Sequence, residues 1–278
     1  MTLPAFSRRL FPLVLLVGIF VAGLDAHAQH TRTVRDTIGL RPDGKVKVSA
    51  AAGSVRVATW DRPTVGMTLR IEGDDAAQVQ DTRVLVEGDS STVSIRTDNA
   101  DPGGPGFWDL IGLGSAEGPA TYYRLNMPAT ASLRVSTKST SVSVEGLTGD
   151  VTVEGTASSI HVRNLTGRVV VGTLSGPLHA ENVQGEVIFG TLSGNFHLRS
   201  TSLPTKTQIG SFSGDAEVVL PADAAFDLKT EITWGGGVTS DFAMPDSTAQ
   251  GDGPVSIGGG GPTVTFESFS GSLTLRAE

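Results

Sequence analysis

From Val46 onward, apolar and polar residues alternate with a period of two: Val46/Val48, Val55/Val57, Val65/Met67/Leu69/Ile71, Val84/Val86, Val93/Ile95 and Leu133/Val135. That period sends successive side chains to opposite faces of an extended chain, so it predicts strands. A helical turn is expected only over Asp74–Asp81, and 35 Gly and 14 Pro break up any longer helix. The expected class is all-β.

Between Thr137 and Gly214 the alternation is itself repeated about every 18 residues. Thr137–Gly155, Thr156–Gly172 and Thr173–Gly190 align directly, Thr191–Gly210 is a stretched copy, and Ser211–Leu220 opens a fifth. The last segment, Ser268–Glu278, reuses the opening phrase. Two short strands and two turns in each unit predict one coil of a parallel β-solenoid, with equivalent residues stacked in columns. An antiparallel sandwich also gives short alternating strands, but its hairpins have no reason to repeat side chain by side chain.

The alternation assigns faces. Inward columns are expected to be Val142–Ile160–Leu178–Phe196, Val144–Val162–Ala180–Leu198 and Val153–Val171–Phe189–Ile209. Gly149, Gly167 and Gly185 recur at the first turn, where a positive φ would select glycine. At the second corner the phrase is Thr/Ser-x-Ser-Gly. Its apolar member (Leu174, Leu192, Phe212, Phe269) is expected to fill the corner while the hydroxyls bond local backbone. Two outward columns alternate in sign at every step: Glu145–Arg163–Glu181–Arg199 and Asp150–Arg168–Glu186–Lys206. Opposite charges in adjacent strands contribute roughly 0.2–1 kcal/mol each, so these columns are read as register-setting and structural.

A third outward column holds His161, His179 and His197, flanked by Ser143 and Glu217. Three imidazoles in a straight line converge poorly on one ion, so they are weak candidates for metal and no metal site is assigned. Crowding predicts titration below the ordinary value.

The N-terminus carries a different signal. Arg8 and Arg9 precede an apolar run from Leu10 to Leu24, and Ala26-His27-Ala28 follows as a small-x-small cleavage site. The run is short for a bilayer span, so residues 1–28 are read as a cleaved export signal, of the ordinary secretory rather than the twin-arginine kind. The protein is then exported to the periplasm, the cell surface or the medium, with no transmembrane segment after cleavage. There is no cysteine, so packing must replace disulfides. A net charge of −8 argues against nucleic acid as a partner. The expected organisation is a signal over 1–28, a β-rich part over 29–100, a Gly/Pro-rich insertion over 101–121 and the solenoid over 122–278.

The phrases Ser54–Gly73, Tyr123–Gly155, the TLSG units and Phe266–Glu278, taken in order, resemble the bacterial putative-adhesin family of β-strand-repeat domains, a domain of unknown function. The resemblance implies an exported β-solenoid-like protein without established enzymatic activity. It supplies no catalytic residues. The insertion Asp101–Pro119 is longer than that pattern suggests.

Candidate chemistry is sparse. Gly235–Gly237 and Gly258–Gly261 lack the lysine of a phosphate loop, and the G-x-x-S-G phrases recur as turns rather than as a nucleophile elbow. No catalytic residue and no cofactor are assigned. Interaction candidates are Phe107, Trp108, Leu110 and Ile111 in the insertion, which either caps the solenoid end or forms an exposed apolar patch; capping is preferred. The expected function is a non-catalytic exported scaffold, an adhesin-like protein whose partner is an envelope protein or a glycan. Alternatives are an envelope-stress or regulatory accessory that binds a protein, and a glycan-active β-helix enzyme.

Overall fold

The computed structural model describes residues 29–98, 118–244 and 253–278. The chain is an all-β parallel solenoid built around one long apolar core. In chain order the strands are β1 (His30–Gly39), β2 (Lys45–Trp60), β3 (Thr64–Gly73), β4 (Arg83–Gly88), β5 (Thr92–Asp98), β6 (Ala120–Pro128) and β7 (Ser132–Glu145). The repeat contributes β8 (Val151–Ala157), β9 (Ile160–Leu165), β10 (Val169–Ser175), β11 (Leu178–Val183), β12 (Glu186–Ser193), β13 (Phe196–Arg199), β14 (Lys206–Ser213) and β15 (Ala216–Leu220). The last turns are β16 (Phe226–Ile232), β17 (Val238–Ser240), β18 (Val255–Ile257), β19 (Thr263–Ser270) and β20 (Leu273–Ala277). Among the described residues there is a single helix, α1 (Ala76–Asp81), which starts where Asp75 accepts the Ala77 and Gln78 amides, and buries Val79.

Each coil adds one strand to each of two faces. One face stacks β4–β5–β2–β7–β8–β10–β12–β14–β19–β16–β18, with antiparallel pairs only at its two ends. The other runs β1–β3–β6–β2–β7–β9–β11–β13–β15–β20–β17, antiparallel only through β1, β3 and β6. The long strands β2 and β7 bend through the corner and serve both faces. The coil order departs from chain order at both ends. Here β2 lies inside β5 and β6, and β19–β20 lies between the fifth repeat and β16–β17.

Between the faces, the three expected inward columns stand in register, with every member at 2% exposure or less. Burying each such aliphatic or aromatic side chain is worth about 1.5–3 kcal/mol, so the columns, rather than any single contact, hold the stack. Between β12 and β13, Phe189 and Phe196 pack with ring centroids 5.6 Å apart.

Two expectations about the turns are corrected. Gly149, Gly167 and Gly185 do not take positive φ. They are glycines because successive turns approach closely: an added Cβ would lie 2.3, 2.3 and 2.1 Å from a carbonyl oxygen of the turn beneath. The left-handed conformation falls instead to Gly146, Asn164 and Asn182, at φ 78°, 54° and 51°. Asparagine tolerates that region, and Asn182 Nδ2 donates to Asn164 Oδ1 across 3.3 Å. The second correction concerns Leu174, Leu192, Phe212 and Phe269, which do not fill their corner. They stand exposed on it.

Candidate functional site

The outward side chains of the two faces differ in kind. On the histidine face (β9, β11, β13, β15), Glu145, Arg163, Glu181 and Arg199 lie in register in successive strands. Arg163 Nε meets Glu181 Oε2 at 2.8 Å, and Arg199 turns to Glu278 at the chain end. At the neighbouring turn, Arg168 reaches Glu186 at 2.8 Å, Lys206 reaches the same carboxylate at 3.7 Å, and the Arg168 amide donates to Asp150. These are partly exposed pairs worth little singly; their value is to penalise a slipped stack.

His161, His179 and His197 also stand in register. The first two rings stack at 4.8 Å and 8° between planes, while His197 tilts away at 5.8 Å and 53°. His197 Nδ1 lies 3.0 Å from Glu217 Oε2, and Arg276 pairs with the other oxygen of that carboxylate at 2.5 Å. Partial burial pushes the His179 imidazole below its ordinary value, and the flanking His161 and His197 add to the shift against an opposing Glu181. The trio is a row with its carboxylate at one end, and no group of three metal-ligating side chains converges among the described residues.

The other face carries a feature that the sequence reading placed indoors. Thr173 and Ser175 pair with Thr191 and Ser193, and these with Ser211 and Ser213 and then Ser268 and Ser270. Leu174, Leu192, Phe212 and Phe269 therefore form one column, and the Phe212 and Phe269 rings stack at 4.8 Å, 2° from parallel. Trp234 lies beside its end, one residue past the register with Phe269, its amide bonded to the Phe269 carbonyl at 2.7 Å. Among the described residues six large hydrophobics are exposed; four of them are this column, at 42–53%, and Trp234 beside its end is a fifth, at 72%. Such concentration separates a surface from the scattered exposed leucines of any protein. The signal was in the alternation: Val171 and Thr173 point inward, which obliges Leu174 to point out. Of the column's hydroxyl neighbours, Thr173 donates to the Ser175 carbonyl, whereas the buried hydroxyls of Thr191, Ser211 and Ser268 have no partner.

Beside this ridge lies a floor of three glycines in register, Gly172, Gly190 and Gly210. None has positive φ. A Cβ added at Gly172 or Gly190 would meet nothing within 4 Å, and at Gly210 only the Phe189 carbonyl at 3.9 Å. In the sequence these glycines mark the ends of the repeat units. The interaction candidates Phe107, Trp108, Leu110 and Ile111 lie outside the described residues, as does the segment read as an export signal.

The family model of Toastrack DUF4097 matches residues 44–276. The chain belongs to the Toastrack family. A Toastrack stack is thus the setting for both faces. Among solved structures, a putative cell adhesion protein from Clostridium sporogenes covers 89% of this chain with 100% of its own, at 12% identity and a TM-score of 0.41. A putative lipid binding protein from Parabacteroides distasonis covers 89% of this chain with 95% of its own, at 10% identity and a TM-score of 0.30. A putative adhesin from Parabacteroides merdae covers 88% with 95% of its own, at 8% identity and a TM-score of 0.29. No curated protein matches the Toastrack chain. Among the described residues, no helix of it is long and apolar enough to cross a membrane.

Proposed function

We propose that this protein is a non-catalytic, exported β-repeat scaffold that works by surface contact, in the manner of an adhesin, at the periplasm or cell surface. The glycine face (β10, β12, β14) is its contacting surface. The observation that carries this reading is the exposed Leu174–Leu192–Phe212–Phe269 column with Trp234 beside its end. Export is supported by the charged, apolar and small-x-small order of residues 8–28. A glycan-cleaving role is disfavoured because that chemistry needs two carboxylates free to act across one bond. Glu181, Glu186 and Glu217 are each engaged by an arginine.

The test is retention of labelled protein on cell envelopes of its own host. Wild type is expected to be retained, and a Leu192→Ser/Phe212→Ser variant to be lost while keeping its fold. Incubation with envelope glycans is expected to release no product. Equal retention of variant and wild type would remove the glycine face from the function, and glycan cleavage would replace the scaffold reading with an enzyme.

A further inference from the structure

The repeat contains two kinds of glycine, and only one is explained within a single copy. Gly167, Gly185, Gly194 and Gly214 are required by the fold, because a Cβ would strike backbone at 2.1–2.3 Å. Gly172 and Gly190 have ordinary strand conformation and open space over them, and Gly210 barely differs. Glycine in a strand interior costs about 0.5–1 kcal/mol relative to alanine and leaves no side chain to pack. Three such residues stacked in successive coils form a bare strip of backbone, and such strips mark places where another backbone or a ligand comes close.

The strip has a complement on the same face. The ridge of Leu174, Leu192 and Phe212 lies two residues further along the same three strands. Ridge and floor are therefore parallel and about 6.6 Å apart. A two-fold axis parallel to the solenoid axis, set between them, reverses strand direction but keeps coil order. It lays each ridge on the other copy's floor: Leu174 over the partner's Gly172, Leu192 over the partner's Gly190 and Phe212 over the partner's Gly210. This is a self-complementary surface of the isologous kind.

We infer that the glycine face pairs with a second copy of this chain, ridge into floor, coil against the same coil. The inference rests on the proposal that this face is the contacting surface, and it names the occupant. Charge agrees with it. Across β10, β12 and β14, the outward positions from Val170 to Leu174 and their equivalents through Phe212 carry no ionisable side chain, in a chain of net charge −8. Charged residues stand at its edges: Glu154 and Glu267 where the floor ends, in register with Gly172 and Gly210, and Arg168, Glu186 and Lys206 where the strands begin. A neutral centre with a charged rim is the anatomy of an interface. Five coils about 4.8 Å apart and about five residues of strand give about 400 Å² per copy. About 800 Å² in total lies below the roughly 1,000 Å² of a stable specific contact, so the pair is weak and reversible.

Sedimentation of the chain from residue 29 onward, over a concentration series, tests this. The weight-average mass is expected to rise from one copy toward two. Gly190→Leu fills the floor from a Cβ that meets nothing within 4 Å in the single copy, and should weaken pairing at least tenfold with the unfolding midpoint unchanged or raised. Leu192→Gly should weaken pairing as well. The double variant exchanges ridge and floor within one coil and should recover most of the affinity, a rescue that misfolding cannot imitate. A wild-type chain that stays single at every concentration overturns the proposal, as does a Gly190→Leu chain that pairs normally. Failure of the double variant to recover overturns the ridge-on-floor register. A monomer that binds neutral lipid vesicles through Phe212 would assign the face to acyl chains instead. Retention on envelopes from a host strain lacking this chain, by a chain that stays single in sedimentation, would leave the scaffold function standing while sinking self-pairing. Pairing in solution without envelope retention would do the reverse.

Discussion

The histidine face and the glycine face are cut from the same coils, yet they solve the surface problem in opposite ways. On the first, stacked charges and imidazoles are satisfied by their neighbours: Arg163 by Glu181, and His197 and Arg276 by Glu217. On the second, leucine and phenylalanine stack into water beside bare glycine. A repeated sequence amplifies whatever stands at each position. An alternating charge column then holds the register, and an apolar column becomes a surface in need of a partner. Under the proposed function, holding falls to one face and contact to the other.

The largest expected effect separates the two kinds of glycine. Gly185→Val drives a Cβ into the Gly167 carbonyl, and should cost about 2–3 kcal/mol in denaturant unfolding. Gly190→Val should be neutral or stabilising by about 0.5 kcal/mol, since its Cβ enters open space. Equal losses would dissolve the distinction on which the glycine face rests.

Next in size is the left-handed asparagine pair. Asn182→Ala should cost about 1–2 kcal/mol through backbone strain at φ 51°, while Asn182→Gly should lose much less. Charge reversal comes after it. Arg163→Glu puts a carboxylate between Glu145 and Glu181, with an expected loss of about 1 kcal/mol. Adding Glu181→Arg should return part of that loss, and a double-mutant cycle measures the coupling. Strictly additive losses would mean that the column does not set the register.

How much of this was legible in the sequence depends on what carried the signal. The coil, its inward columns and the charge alternation follow from a period of 18 laid over a period of two, and both survive in any correct stack. The turn glycines misled because recurrence tells that glycine is needed but not why. Close approach of the next turn at Gly167 and Gly185 is a contact between coils, invisible in a single turn's sequence. Leu174 and its equivalents misled for a different reason: an apolar residue in a turn invites burial, but the strict parity of β10 carries on to Leu174 and turns it outward. The order of coils at the two ends was not legible, because β2 and β19 take their places by pairing with strands distant in sequence.

The smallest effect belongs to the histidines. His179 titrates below its usual 6.5 in the folded chain, so the unfolded chain binds its proton first. Stability is therefore full above about pH 6.5 and falls as pH drops through and below that value. Glu181 opposes the shift, while His161 and His197 strengthen it. Unfolding at pH 7.5 and 5.5 should show a small loss for wild type, reduced in His179→Gln. An unchanged slope in that variant would remove His179 as its source.

The division of labour between the faces is tested most directly by envelope retention of two variants side by side, below the unfolding temperature of each. Leu192→Ser/Phe212→Ser should lose retention, and Arg163→Glu should keep it. Retention of the first at the wild-type level, or loss confined to the second, would contradict the account.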